Sequence, residues 1–500
     1  MIGISRKIYL EMTPPSAEDA RSAQQRLLGA LGKETVRLPL KVLQTLQPVC
    51  ETSGWSVTAS LAWDGACWEA TGLEAGNSSR QHYGYAADLG STRVVMRLVD
   101  CCSGAVVAEE STDNRQIAWG TDILSRIFAC KEQPQTLRAI AQATRETLLA
   151  LFDRLQEETG IAPEDCISMT VSGNTTMIHF LLGLDPFCVF AAPYAVCADR
   201  PGFLRASELE LPLPGYVFCV PGKSNYLGGD IISGMIATQL YQKDGIRVFF
   251  DIGTNGELVI GGRDFLLCAA GAAGPALEGG VVRTGMRAEP GAVDAVELRE
   301  GKLFCHTIGE APPRGICGSG IIDLIAALFL AGWIDLRGKL QERAADCIGL
   351  HEGELACEYV PGLLFWQRDI DEFLRTKAAA YTMVEYLLRE AGIPMEEISG
   401  FYAAGAFGAH VNVESAVTIG MYPDLPRDRL IPAGNTSLAG AQRLLLNLEL
   451  HEELGEILEK MVYVQLGEAG DFLTDMLAAQ AIPHTDLSRF PSVVAKMKKR

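Results

Sequence analysis

One short pattern occurs twice in the chain and limits its fold more than any other feature. An apolar run ends in Asp, one further apolar residue, Gly, and Ser or Thr, and a second apolar run follows: "GYAADLGSTRVVMRLVD" at 84–100 and "RVFFDIGTNGELVI" at 247–260. Each copy predicts two strands joined by a glycine turn. The two aspartates lie 163 positions apart, which is the size of a domain. The repeat therefore predicts a duplicated α/β domain, with a cleft between the copies as the expected site.

The residue types in these turns suit phosphate binding. Gly has no Cβ and adopts positive φ, so the N–H groups and hydroxyls of such a turn can approach an anion. An aspartate beside bare phosphate would repel it, and it is useful only where Mg²⁺ or its waters lie between. A single copy is more often a simple Asx turn, but two copies favour a clamp for a nucleotide triphosphate. The expected residues are Asp88 and Asp251, as Mg²⁺ ligands through water, with Gly90, Ser91, Thr92, Gly253, Thr254 and Asn255.

The rest of the chain divides around these two copies. Residues 1–80 predict a small α+β domain, because a capped amphipathic helix is followed by alternating strand patterns, and they carry no catalytic constellation. A helix is predicted at about 134–158, ended by Gly160. The predicted boundaries are 1–80 for the N-terminal domain, 83–246 for the first lobe and 247–500 for the second lobe.

Charge and hydropathy exclude several classes of protein. A net charge of −19 over 500 residues disfavours a nonspecific nucleic-acid binder or a protein of anionic membrane surfaces. No window reaches the roughly 18 to 20 apolar residues that a bilayer span needs. The most apolar window, "GSGIIDLIAALFLAGWID", contains Asp323 and predicts a buried helix. The start "MIGISRKIYLEM" lacks the apolar core of a signal peptide, so we expect a cytoplasmic protein.

The fourteen cysteines do not form a recognisable framework. None lies in C-x-x-C, and the only close pair is Cys101–Cys102. A disulfide framework is not expected in such a chain, and the clustered spacings of zinc ribbons and iron–sulfur sites are absent from the sequence. Most of these cysteines are predicted to be small core residues.

The two turns resemble the phosphate motifs of the superfamily of sugar kinases, heat-shock ATPases and actin. On that resemblance "DLGST" is the first phosphate motif and "DIGTN" the second, while "FYAAGAFG" at 401–408 is similar to the adenosine motif. "SGNTTM" at 172–177 resembles the first connecting segment, in which Asn174 would orient water or a Mg²⁺ ligand. "CGSG" at 317–320 is a second glycine-rich candidate. The residues so implied are Asn174, Gly318, Ser319, Gly320, Gly405, Ala406 and Gly408.

A fuller resemblance is to the reductive activators of corrinoid proteins, which use ATP to return oxidised cobalamin to Co(I). It covers nearly the whole chain and rests on the blocks "KIYLEMTPPSAEDARS", "NRQIAWGTDILSRI", "SGNTTMIHFLLGLDPF", "DIGTNGELVI", "AAGAAGPALEGG", "CGSGIIDLIAALFLAGWID" and "AAGAFGAHV". The resemblance implies a duplicated, two-lobed actin-like ATPase with ribonuclease H-like lobes and a small N-terminal α+β domain. It also implies ATP, Mg²⁺, a corrinoid protein partner and a homodimer. Arg93 stands where a Thr is expected after the first motif.

Full-length members of that family begin with a ferredoxin-like domain that binds a [2Fe–2S] cluster through closely spaced cysteines. The first cysteine here is Cys50, and it stands alone. We therefore expect no iron–sulfur cluster in this chain, and electrons from a separate low-potential donor such as a ferredoxin.

Two other functions stay open from the sequence. A small-molecule kinase of the sugar or acid kinase type would phosphorylate a metabolite without a protein partner. A non-redox, ATP-switched binding module for cobalamin proteins would change its affinity for a partner but not the cobalt oxidation state.

Four further features have alternative interpretations. Asp122 is either a helix N-terminal residue or a cleft residue, and Glu278 is either a solvated helix position or a catalytic one. His179 lies within a helix, where a satisfied core histidine is favoured over a metal ligand. The Gly-Lys-Ser of "PGKSNYLGGD" is not a P-loop, because no Gly stands five positions before Gly222.

Overall fold

The computed structural model describes residues 2–32, 35–253, 256–271, 280, 282–466 and 471–498. The chain divides into two units, Met1–Ala237 with Thr436–Glu459, and Thr238–Asn435 with Lys460–Arg500. The boundaries expected from the sequence, 1–80, 83–246 and 247–500, stay a prediction. The structure adds that residues 436–459 pack with the first unit.

The N-terminal part of the first unit is a small α+β arrangement. A four-stranded sheet has the order β1-β3-β4-β2, and it buries Leu27, Leu46 and Trp55 beneath two helices. The first helix begins at a capping box formed by Ser22 and Gln25. The elements are β1 (Ser5–Glu11), α1 (Ala23–Leu31), β2 (Val36–Arg37), α2 (Leu40–Thr52), β3 (Ser56–Trp63) and β4 (Trp68–Ala75).

The remainder of the first unit is built on a six-stranded sheet. Its strands are β5 (Tyr83–Leu89), β6 (Arg93–Asp100), β7 (Val106–Asp113), β8 (Cys166–Ser172), β9 (Gly202–Arg205) and β10 (Tyr216–Cys219), in the order β7-β6-β5-β8-β10-β9. Its helices are α3 (Ile123–Glu132), α4 (Gln135–Thr159), α5 (Thr175–Leu182), α6 (Phe187–Phe190) and α7 (Gly229–Thr238). The predicted helix at 134–158 is confirmed as α4, and Gly160 ends it in a left-handed conformation.

The second unit contains a second six-stranded sheet and two small ones. Its strands are β11 (Ile246–Ile252), β12 (Gly256–Gly261), β13 (Leu266–Gly271), β14 (Ala292–Arg299), β15 (Lys302–Thr307), β16 (Gly315–Ile316), β17 (Ile348–His351), β18 (Glu354–Val360), β19 (Leu363–Trp366), β20 (Ile398–Ala404), β21 (Leu430–Gly434) and β22 (Met461–Tyr463). The large sheet has the order β21-β20-β11-β12-β13-β22, and the small ones are β15-β14-β16 and β17-β18-β19.

The later helices belong to both units. They are α8 (Gly318–Ala331), α9 (Gln367–Glu390), α10 (Gly405–His410), α11 (Val413–Ile419), α12 (Thr436–Leu446), α13 (Leu450–Lys460), α14 (Phe472–Ala479) and α15 (Pro491–Met497). Of these, α12 and α13 belong to the first unit.

The two large sheets share one topology. In each, three consecutive strands pair antiparallel, and two later strands join the first of them in parallel. The series β7-β6-β5-β8-β10 thus corresponds to β13-β12-β11-β20-β21. The duplication predicted from the repeated pattern is confirmed in the fold.

The most apolar window of the sequence forms α8, whose side chains are almost all buried. It lies in the largest apolar core of the second unit, with β11, β12 and α9. No helix in the described part of the chain is long and apolar enough to cross a membrane.

Candidate functional site

Asp88 occupies the last position but one of β5, where the strand approaches its turn. In the parallel pairing its register partner is Ser172, the last residue of β8. A third residue joins them, because the Ser437 hydroxyl donates to Asp88 Oδ1 at 2.7 Å and lies 2.9 Å from Ser172 Oγ. Ser437 comes from the first turn of α12. The half-buried carboxylate is therefore oriented by a residue from the far end of the sequence.

Sequence reasoning missed Ser437, although a signal for it was present. The segment "SGNTTM" at 172–177 has a near copy, "AGNTSL", at 433–438. Both segments lead from a strand into a helix, β8 into α5 and β21 into α12. Ser172 and Ser437, one residue from each segment, form a hydrogen bond within the first unit.

The turn after Asp88 is tight, and hydrogen bonds from Asn114 to its backbone carbonyl groups stabilise it. A Cβ on Gly90 would lie 2.3 Å from the carbonyl oxygen of Arg93, so only Gly fits there. Asn114 Nδ2 donates to the Gly90 carbonyl at 2.9 Å, and the Asn114 backbone N–H donates to the Thr92 carbonyl at 2.8 Å. With these carbonyl groups fixed, the half-buried Ser91 and Thr92 are presented in one conformation.

Arg126 supplies the third support of this turn. Its Nη1 donates to the Ser91 carbonyl at 2.7 Å and to Gln116 Oε1 at 3.1 Å, and its Nε donates to the Gly120 carbonyl at 2.9 Å. The guanidinium is fully buried, and its Nη2 has no hydrogen-bond partner among the residues that the structure describes. Burial lowers the pKa of Arg126 to about 10. The block "NRQIAWGTDILSRI" thus holds the first turn, a role that its sequence alone does not reveal.

Two further residues of this region have local partners. The exposed Arg93 donates from Nε and Nη2 to Ser111 Oγ on β7, at 3.0 and 2.6 Å. Asp122 is the N-cap of α3, and hydrogen bonds from Ser125 lower the pKa of its carboxyl group. Of the two interpretations of Asp122, the structure supports the helix N-terminal one.

Asn174 lies beside the first turn and caps α5. Its Oδ1 accepts from the Met177 backbone N–H at 3.0 Å. The preceding Gly173 is pressed against β5, since a Cβ there would lie 2.8 Å from the Leu89 carbonyl oxygen. The amide oxygen of Asn174 is therefore engaged in capping the helix. Its predicted role toward water or Mg²⁺ stays a prediction.

Asp251 repeats the position of Asp88 in the second sheet. It is the last residue but one of β11, and its parallel register partner is Ala404, the last residue of β20. Gly405 follows with φ +82°, and a Cβ there would lie 2.7 Å from Asp251 Oδ1 and 3.0 Å from the Ile252 carbonyl oxygen. This is the same approach that Gly173 makes to Leu89. Gly253 is half-buried, whereas Thr254, Asn255 and Glu278 lie outside the described residues.

The glycines of the proposed adenosine motif have a packing role in the structure. Gly405 leaves room for the Asp251 carboxylate, and a Cβ on Gly408 would lie 2.7 Å from the backbone of Ala403. These glycines let α10 begin directly against β11 and β20. Ala406 belongs to α10, and its side chain is outside the described part. Contact of this turn with a nucleoside stays a prediction.

The second glycine-rich candidate begins α8, with Gly318 as its first residue. A Cβ on Gly320 would lie 2.3 Å from the Val293 carbonyl oxygen, and Ser319 Oγ donates to the Asp294 carbonyl at 2.8 Å. The start of α8 is therefore packed on β14. Its predicted contact with a nucleotide is not tested by this packing.

The Gly-Lys-Ser segment has a structural explanation. Lys223 Nζ donates to the Leu458 carbonyl, in the last turn of α13, at 2.6 Å. An ammonium group at a helix C-terminus interacts favourably with the helix dipole. This contact agrees with the exclusion of a P-loop.

Two equivalent sheets, each presenting an aspartate beside a glycine turn, define an actin-like protein of the sugar kinase, heat-shock ATPase and actin class. Three family models match the chain in order: the RACo linker region at residues 4–80, the RACo middle region at 83–243, and the C-terminal, ASKHA domain of RACo at 245–494. The chain belongs to the RACo family of reductive activators. The resemblance and the fold class inferred from the sequence are confirmed.

Curated relatives and a solved structure agree with this assignment. The corrinoid activation enzyme RamQ of Eubacterium limosum is 34% identical over 388 residues, which are 73% of this chain and 65% of that protein. The [Co(II) methylated amine-specific corrinoid protein] reductase of Methanosarcina barkeri is 28% identical over 263 residues, 48% of this chain and 46% of that protein. The solved structure of a reductive activator for corrinoid, iron–sulfur protein is 34% identical with a TM-score of 0.90, over 98% of this chain and 81% of that one. The matches thus span less than two thirds of both curated relatives.

Proposed function

We propose that this chain binds and hydrolyses ATP to drive the reductive activation of a corrinoid protein from Co(II) to Co(I), with electrons from a separate low-potential donor. The observation that carries the proposal is the similarity to the reductive activator structure over 98% of the chain. The family models at 83–243 and 245–494 include Asp88 and Asp251.

The residues around the two turns suit a magnesium nucleotide. Asp88 and Asp251 supply carboxylate oxygens, which Mg²⁺ prefers as ligands, and Ser91 and Thr92 supply hydroxyl groups. A Cβ on residue 405 would lie 2.7 Å from Asp251 Oδ1, so Gly at this position leaves room for the carboxylate. When bound, Mg²⁺ would neutralise phosphate charge. In the first turn, Ser437 orients the Asp88 carboxylate, and Asn114 and Arg126 hold the backbone carbonyl groups of Gly90 and Ser91.

A conformational bias driven by ATP can be expressed as a shift of the effective reduction potential. A conformational bias of about 10⁴-fold corresponds to about 5.5 kcal/mol. For a one-electron couple each ~59 mV is a factor of ten in equilibrium, so this bias would move an effective potential by roughly 240 mV.

The test replaces each aspartate with asparagine, which removes the charge and keeps the size. Loss of one positioned electrostatic group typically reduces turnover by about 10² to 10³, so we expect that reduction in ATP hydrolysis for Asp88→Asn and for Asp251→Asn. Asp153→Asn, on the exposed face of α4, is the matched control and should retain the parent rate. Absorbance spectra of a corrinoid protein with reductant and Mg-ATP then report whether Co(I) forms.

The outcomes separate the candidate functions. Parent rates in both aspartate variants would remove the two turns from the nucleotide site. Phosphorylation of a metabolite without a protein partner would indicate a kinase. ATP-dependent partner affinity without a change in the cobalt spectrum would indicate the non-redox binding module.

A further inference from the structure

Three metal-ligating side chains gather in the first unit, and none of them belongs to the residues assigned to the aspartate turns. They are His179 in α5, Cys188 in α6, and Cys197 in the segment before β9. Their ligand atoms all lie within 4.8 Å of one another. Neither the phosphate chemistry nor the family assignment gives these residues a role.

His179 presents one ring nitrogen to this group. The ring is fully buried, and its Nδ1 lies 2.7 Å from the Thr175 carbonyl oxygen, which can only accept a hydrogen bond. Nδ1 therefore carries the proton, and Nε2 offers a lone pair. A histidine whose Nδ1–H is held by a backbone carbonyl is oriented as metal-binding histidines are.

The two thiols are spaced as ligands of one ion. Their sulfur atoms are 3.5 Å apart, and they lie 3.0 and 3.6 Å from the Asp185 carbonyl oxygen. A tetrahedral zinc ion with Zn–S bonds of about 2.3 Å separates two thiolates by roughly 3.7 Å, so little movement is required. Cys188 is half-buried and Cys197 is exposed, which gives an ion access from solvent.

We propose that the first unit binds one borderline or soft divalent cation, Zn²⁺ in the simplest case, through His179 Nε2, Cys188 Sγ and Cys197 Sγ, with a fourth position open to water or an external ligand. One imidazole and two thiolates are ligands that such cations prefer over Mg²⁺ or Ca²⁺. Binding releases the two thiol protons to solvent and changes no oxidation state.

A disulfide between Cys188 and Cys197 explains the positions of these three side chains less well than a metal site does. The sulfur atoms would have to move from 3.5 Å to about 2.05 Å. In the described part of the chain, His179 Nε2 would then be left with the Ala198 N–H, at 3.5 Å, as its partner. The sequence did not predict the site, because its ligands are nine residues apart rather than in C-x-x-C.

The experiment uses the full chain, reduced and stripped of metal with a chelator. Zn²⁺ affinity is measured against a chromophoric chelator, and Co²⁺ serves as a spectroscopic probe for thiolate ligation. We expect one ion per chain and a thiolate-to-Co²⁺ charge-transfer band. Loss of a second-shell partner alone typically weakens metal binding by about 10- to 100-fold, so Cys197→Ser should weaken Zn²⁺ binding by at least about 100-fold. Cys102→Ser removes another exposed thiol and should leave the affinity unchanged.

His179→Gln tests the nitrogen ligand, and circular dichroism of the metal-free protein checks that this variant folds. If it is unstable, Cys197→Ser still tests the site, because Cys197 is exposed and its replacement should not disturb folding. Binding that is absent under reducing conditions, or equal in the parent and Cys197→Ser, would overturn the proposal. So would a 188–197 disulfide that forms readily while no metal binds. None of these readouts depends on ATP or a corrinoid protein.

Discussion

The carboxylate of Asp88 is positioned by a hydroxyl 349 positions away in the sequence, that of Ser437. A hydrogen bond to a charged group is worth about 1.5 to 3 kcal/mol. We therefore expect Ser437→Ala to reduce ATP turnover by about 10- to 100-fold while the protein stays folded, because Asp88 keeps its place in β5 but loses its orientation.

Steady-state ATP hydrolysis measures this effect, with thermal melting as the check of folding. Ser79→Ala is the control, because the half-buried Ser79 hydroxyl donates to a local partner, Asn77 Oδ1, at 2.7 Å. Unchanged turnover in Ser437→Ala would show that the Ser437–Asp88 contact has no part in hydrolysis.

A second single-residue effect concerns His451 in α13. Its Nε2 donates to the Leu444 carbonyl, its ring stacks on Phe203, and burial lowers its pKa to about 4. Between this value and the ordinary pKa near 6.5 the unfolded chain binds the proton and the folded chain does not, so stability falls as pH decreases through that window. From pH 8 to pH 5 the loss is about 2 kcal/mol for this residue.

Chemical denaturation at pH 8 and pH 5 measures the free energy of unfolding at each pH. His451→Gln should be less stable than the parent at pH 8 but should show a pH dependence smaller by about 2 kcal/mol. His351→Gln is the control for removal of a histidine elsewhere. If the stability of His451→Gln depended on pH as strongly as that of the parent, the pH dependence could not be attributed to His451.

At the scale of helices, two glycines in neighbouring elements have opposite surroundings. Gly440 in α12 meets α7 so closely that a Cβ would lie 2.1 Å from the Ser233 carbonyl oxygen, whereas a Cβ on Gly455 in α13 has nothing within 4 Å. Gly440→Ala should cost about 1 to 3 kcal/mol through overpacking. Gly455→Ala should stabilise by roughly 0.5 to 1 kcal/mol, because Ala is the better helix former.

Urea denaturation of the two variants measures both changes. Since α12 also carries Ser437, Gly440→Ala should lower ATP turnover as well, and Gly455→Ala should not. Equal stability effects in the two variants would mean that α7 and α12 are less closely packed than the structure shows.

At the scale of the whole molecule, the distribution of cysteines bears on electron supply. Among the described residues, the group of three or more metal-ligating side chains contains only two sulfur atoms, whereas an iron–sulfur cluster takes four ligands. We expect the purified chain to hold no stoichiometric iron. It should form Co(I) on a corrinoid protein only when a separate ferredoxin or a low-potential chemical reductant is added.

Iron analysis and cobalt spectra with and without the added donor measure this dependence. Nucleotide binding with and without the corrinoid protein is the companion measurement, because two coupled ligands must affect each other's binding equally. One iron–sulfur cluster per chain would contradict the need for a separate donor. A corrinoid protein that changes no nucleotide affinity would count against the activator function.

The architecture could be predicted from the amino-acid sequence, because the local pattern that specifies it occurs twice. The apolar strands ending in Asp88 and Asp251, their glycine turns, and the long helix before Gly160 are short-range patterns with definite geometric meaning. The blocks shared with the family then indicated the function. The burial of α8 could likewise be predicted, because its segment is the most apolar window of the sequence.

The side chains that orient the candidate site residues could be identified only from the tertiary structure. Ser437 reaches Asp88, Arg126 reaches Ser91, and His179 faces two cysteines through contacts that depend on how sheets and helices pack. The tertiary structure also places Gly405 against the Asp251 carboxylate, a contact that the sequence did not predict, while its contact with a nucleoside stays a prediction. Such contacts cannot be read from sequence spacing. A hydrogen bond or a packing contact depends on the distance between two atoms in space, which is not related to their separation along the chain.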